Sequence, residues 1–220
     1  MRNRFLPFEI LYEDRDLVVI DKPAGLLTTH TKLLGRAARE AQPTAENFLN
    51  NYLRKGQSRS TKRVFLVHRL DRETSGVLMF VKDERLAEAI RERWNELTEK
   101  TYLAMVEGVL AEEQGVFESF LLEDADGYRV RSVSKGGKLS RTEWKRLAVR
   151  GNRTKVEVSL KSGRKNQIRV HFSEAGHPIV GDVKYGAKPA DRLYLRAVRL
   201  GFTHPFTGQR QVFGNLIPLF

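Results

Sequence analysis

The sequence predicts an α+β domain on a mixed, mainly antiparallel sheet with flanking helices. Three observations carry that reading. Many segments alternate apolar and polar residues and are parted by Gly, Asn or Asp turns. Clear helical spacing is confined to two segments. The 220 residues are 40% hydrophobic, enough for one well-filled core. No repeat occurs at solenoid periods and no linker forces a division, so residues 1–220 read as a single domain.

In chain order, LVVIDKPAGLLT (Leu17–Thr28) reads as a strand broken by a Pro-Ala-Gly turn. Thr44–Leu53 has helical spacing with Thr44 as its N-cap. Arg54–Arg63, RKGQSRSTKR, is a polar, basic loop. VFLVHRL and GVLMFVK are strand-like and flank a polar cluster inside LVHRLDRETSG, residues 66–76. Asp83–Lys100 reads as one helix, with Leu86, Ile90, Trp94 and Leu97 on a stripe and Asp83 capping its start. From there the texture is β: YLAMVEGVL, GVFESFLL, GYRVRSVS, SRTEWKRLAV, KVEVSLKS and NQIRVHF. Lys135–Ser140 is a loop tip. The tail, from RLYLRAVR onward, reads as one helix or irregular turn and then a last hairpin.

Composition narrows the function. No run approaches the roughly 18 apolar residues that a membrane helix needs. MRNRFLPFEI lacks the apolar centre of a signal peptide, so a soluble cytoplasmic protein is expected. There is no cysteine, and the five histidines lack HxxxH or HExxH spacing, so no metal is expected. Lys and Arg exceed Asp and Glu by 39 to 27, giving a net charge of +12 spread along the chain. Basic stretches mixed with Gly, Ser and Asn suit a surface that follows a phosphate backbone, and solubility alone would also be served.

Asp71 is the candidate centre. On local pattern it could simply close an Asx-turn within DRETSG. Its wider company suggests more. HRLDRETSG resembles the HRLDxxTSG signature of the RluA family of RNA pseudouridine synthases, and the likeness continues along the chain. LYEDRDLVVIDKPAGLL resembles the family's first strand and turn. Lys100, Tyr102 and Gly108 match its K-x-Y…G segment. GRKNQIRVHFSEAGHPIVGDVKYG (Gly163–Gly186) and LYLRAVRLGFTHPFTG resemble two further blocks, in the right order over roughly residues 10–210.

That resemblance implies an enzyme that isomerises uridine to pseudouridine in a ribosomal or transfer RNA stem-loop, without cofactor or metal. Asp71 matches the catalytic aspartate. A pocket that excludes water raises a carboxylate's pKa, and the matching guanidinium that offsets this is Arg169. Tyr102 matches the tyrosine that stacks on the target base. Arg69 matches the residue that fills the gap left by the flipped nucleotide. Ile168 and Leu195 match walls of the uracil pocket. Two positions depart from the pattern: Asn166 and Arg196 stand where His is usual, so altered RNA contacts are expected there. Relatives often carry a separate RNA-binding module ahead of the catalytic domain; none is expected here, and a monomer is the default.

Overall fold

A computed structural model describes residues 6–30, 42–57 and 59–214. Ser58 of the basic loop and the last residues of the tail therefore lie outside the described residues. The chain divides into two compact units, Met1–Leu97 with Thr203–Gly214, and Thr98–Phe202 with the C-terminal residues.

In the first unit, β1 (Glu9–Glu13) runs antiparallel to β2 (Leu17–Lys22). β2 runs antiparallel to β4 (Ser75–Val81), with Leu17 opposite Val81 and Lys22 opposite Gly76. The short β3 (Phe65–Leu66) pairs with the end of β4. Leu17 to Ile20 and Leu78 to Val81 are all at most 1% exposed. Strands covered on both faces read as continuous apolar runs, which is the texture of VVI and VLMFV. The helix α1 (Ala45–Arg54) starts at Thr44, whose Oγ1 accepts the Asn47 N–H at 3.1 Å, and buries Ala45 and Leu49. β11 (Arg210–Phe213) packs Phe213 on Tyr12.

The expected helix over Asp83–Lys100 is shorter and divided. α2 covers Glu84–Glu92 and α3 covers Trp94–Leu97, and the chain is already a strand from Thr98. Asp83 does cap α2, its Oδ1 accepting the Leu86 N–H at 2.9 Å. Of the expected apolar stripe, Leu86, Ile90 and Leu97 are buried. Trp94 instead turns aside to stack on His68, 4.5 Å between ring centroids.

The second unit is a sheet ordered β10-β5-β9-β8-β6-β7. Its strands are β5 (Thr98–Glu107), β6 (Gln114–Glu123), β7 (Val130–Val133), β8 (Lys138–Val149), β9 (Arg153–Leu160) and β10 (Leu195–Thr203). Every pairing among them is antiparallel. β9 shows the simplest alternation: Thr154, Val156, Val158 and Leu160 face inward. Val156, Val158 and Leu160 pack with Trp144, Ile168 and Phe172 in one core cluster.

Two segments depart from expectation here. NQIRVHF, read as β, is helical: α4 spans Gln167–Glu174. The RLYLRAVR stretch, read as a helix or turn, enters β10, whose register slips between Ala197 and Arg199. That slip interrupts the period-two pattern that would have marked it. Among the described residues no helix is long and apolar enough to cross a membrane.

Candidate active site

The polar run at 66–76 is fastened to the turn that follows β2. Lys22 is fully buried, and its Nζ donates to three carbonyls: Leu26 at 2.7 Å, Pro23 at 2.9 Å and Arg72 at 3.1 Å. The Gly25 N–H donates to the same Arg72 oxygen at 2.8 Å, and Arg72 Nε returns a bond to the Gly25 carbonyl at 3.1 Å. Thr28 Oγ1 donates to the Leu70 carbonyl at 2.9 Å and accepts the Leu70 N–H at 3.2 Å. Both sequence neighbours of Asp71 are thus tied to one turn, and the Thr74 N–H donates to the Asp71 carbonyl at 3.2 Å. Gly25 adopts φ +86°, a conformation glycine takes without a Cβ penalty.

The result is a half-buried carboxylate on a backbone with little freedom. Burial pushes the Lys22 ammonium down to about 8, against the opposing pull of the Glu73 and Asp71 carboxylates. It stays charged at neutral pH, and all three of its protons are used. Nearby, His68 Nε2 accepts the Met79 N–H at 2.9 Å, so this nitrogen acts as the acceptor of the ring. Arg69 is exposed.

The second unit holds the other expected residues. α4 begins at Asn166, in the left-handed region at φ +53°. Gln167 stitches its start to β8: Nε2 donates to the Arg141 carbonyl at 3.0 Å and to Thr142 Oγ1 at 2.9 Å, while Oε1 accepts Ser162 Oγ at 2.8 Å. Arg169 is buried, and its planar fork meets Asp182 twice, Nε to Oδ2 at 2.7 Å and an Nη to Oδ1 at 2.6 Å. Its guanidinium also lies 5.2 Å from the Tyr185 ring centre. The Tyr185 hydroxyl accepts the Asn166 amide at 2.9 Å and the Val130 N–H at 3.1 Å. Burial raises the Tyr185 pKa, so the ring stays neutral. Burial lowers that of His171, which is held between Thr142 Oγ1 at 2.8 Å and Ser119 Oγ at 3.1 Å.

Asp182 reaches Arg169 because of the residue before it. Gly181 sits at φ +83°, and a Cβ there would overlap the Arg192 carbonyl. Tyr102, Ile168 and Leu195 meet in the core cluster around Val158, Tyr102 lying between Val158 and Ala197 across the strands. The second unit therefore gathers Tyr102, Ile168, Arg169 and Leu195, and the first holds Asp71 and Arg69. Of the two departures, Asn166 is 6% exposed and bonded inward, and Arg196 lies half-buried on β10 opposite Leu103.

Sequence alone pairs Asp71 with Arg169 and does not single out Asp182, whose carboxylate accepts two bonds from the Arg169 fork. It also passed over Lys22, Thr28, Gln167 and Tyr185, although each stands inside a quoted motif. For Lys22 the signal was a charge closing the apolar strand LVVIDK; Gln167 and Tyr185 stand among polar residues, in GRKNQ and GDVKYG, and carried none.

The family model for RNA pseudouridylate synthase matches residues 16–174. The chain is 36% identical to an uncharacterized RNA pseudouridine synthase of Bacillus subtilis, over 91% of this chain and 66% of the relative. It is 36% identical to ribosomal large subunit pseudouridine synthase C of Pasteurella multocida, over 91% of this chain and 62% of that protein. Against tRNA pseudouridine synthase C of Haemophilus ducreyi the identity is 32%, over 96% and 92%. The chain thus spans somewhat less than two thirds of the first two relatives. The fold is similar to those of human RNA pseudouridylate synthase domain containing 4 and 1, at TM-scores of 0.75 and 0.76. Those matches cover 96% and 97% of this chain and 89% and 84% of theirs, at 24% and 23% identity.

Proposed function

The chain belongs to the RNA pseudouridylate synthase family, and we propose that it isomerises uridine to pseudouridine in structured ribosomal or transfer RNA, with no cofactor. The N1–C1′ bond breaks, the uracil turns, and C5 bonds to C1′. C5 then loses its proton while N1 gains one, so atoms and electrons balance within the nucleotide. The demand on the protein is an anionic oxygen at the sugar, a platform for the detached base and a way to hold the nucleotide out of its stack.

Asp71 supplies the oxygen. Attack on C1′ and removal of the 2′ proton both use it as a carboxylate. Arg169, permanently charged, opposes the rise in pKa that desolvation would impose on that carboxylate. Tyr102 stacks on the base, Ile168 and Leu195 border it, and the exposed Arg69 enters the space the nucleotide leaves. An unpaired loop is the favoured target because its bases splay at low cost. The same reading treats the chain as one catalytic domain, working as a monomer in the cytoplasm.

The observation that carries the reading is the double fastening of the Asp71 turn. Positioning a reactive group in advance lowers the entropy lost at the reaction. Purified protein mixed with cellular RNA bearing tritium at uridine C5 tests the activity. Tritium should pass to water; no release from any RNA fraction refutes the proposal.

A further inference from the structure

A concave site lies within the second unit, at the far end of β5 from Tyr102. Its cavity of about 410 Å³ is bordered by Arg150, Asn152 and Arg153 of the β8–β9 turn, with Glu107, Lys188 and Val180. The frame is well tied. Arg150 and Arg153 exchange backbone bonds at 2.9 and 3.2 Å, and the Gly108 N–H donates to the Asn152 carbonyl at 2.9 Å. The Glu107 carboxylate is engaged, accepting the Lys188 N–H at 2.9 Å.

Three cations therefore border one cavity that holds a single carboxylate. Among the described residues none of Arg150, Arg153 or Lys188 has an ion-pair partner. Converging like charges repel, and an anion seated among them would reverse that cost. Glu107 lies five residues along β5 from Tyr102, about 17 Å at strand rise.

We propose that this cavity seats a backbone phosphate of the RNA stem that flanks the target uridine. The phosphodiester oxygens accept from the two guanidinium groups and the Lys188 ammonium, and they carry no sequence information. The identity of the anion rests on the RNA reading given under Proposed function.

The test is a salt titration of binding to a fluorescently labelled RNA stem-loop, comparing wild type with Arg150→Gln, Arg153→Gln and Lys188→Gln, singly and combined. Loss of the one seated phosphate should lower the slope of log affinity against log salt by about 0.7 to 0.9 in the triple variant, and by less in each single variant. KM for tritium release should rise several-fold with kcat unchanged. In parallel, bound RNA should shield Lys188 from an amine-reactive label, and the same concentration of inorganic phosphate should not. An unchanged slope, an unshielded Lys188, or equal shielding by inorganic phosphate would overturn the proposal. Binding is read apart from turnover: active wild type with an unchanged triple-variant slope refutes the cavity alone, and inactive wild type with the expected slope change refutes the isomerase alone.

Discussion

Replacing Lys22 by Met would keep most of its volume and remove the donor from three carbonyls, those of Pro23, Leu26 and Arg72. The Arg72 carbonyl keeps the Gly25 N–H, and the other two acceptors cost about 1–3 kcal/mol each when stranded, so Lys22→Met should destabilise the fold by on the order of 3 kcal/mol. Urea denaturation measures it, and a loss under about 0.5 kcal/mol would contradict the role given to Lys22. The pH dependence has a definite sign. The folded chain releases the Lys22 proton near pH 8, whereas an unfolded lysine holds it to about 10.5. The unfolded state thus binds more protons between those values, and the contribution of this group to stability rises with pH across that window. The gap between wild type and Lys22→Met should widen in favour of wild type from about pH 8 to about pH 10. A constant gap would contradict the assignment. Asp71 was legible because its neighbours form a dense motif. The work of Lys22 was not, since one acceptor lies 50 residues away.

α4 is the element on which local pattern failed, and its surroundings explain the failure. Ile168 and Phe172 enter the main core cluster, and Val170 enters a second cluster with Leu121 and Val130. Arg169 goes to Asp182 and His171 to two hydroxyls. A helix buried on every side has no polar stripe, so the 3.6-residue signal is absent and QIRVHF imitates an alternating strand. α1 and α2, each with an exposed face and a side-chain cap, were legible. The same burial makes α4 sensitive to charge. Asp182→Asn would take from the buried Arg169 guanidinium the carboxylate that its fork meets twice, a loss of about 3–5 kcal/mol. Thermal or urea unfolding should show it, and a variant as stable as wild type would remove the pair from the support of α4.

At the scale of the whole molecule, a net charge of +12 suits the polyanionic substrate proposed, and the excess is distributed rather than held in a tail. The sheet-dominated architecture was legible from turn spacing and alternation. The division into two compact units was not, because no change of composition or linker marks Leu97–Thr98. Basic side chains bind RNA with little demand for precise placement; the isomerisation requires one carboxylate. Binding and turnover should therefore separate cleanly on a single substitution. The decisive measurement is tritium release from uridine C5 by Asp71→Asn, with RNA affinity measured on the same sample. The account predicts no turnover and an affinity within a few-fold of wild type, whereas release at the wild-type rate would contradict it.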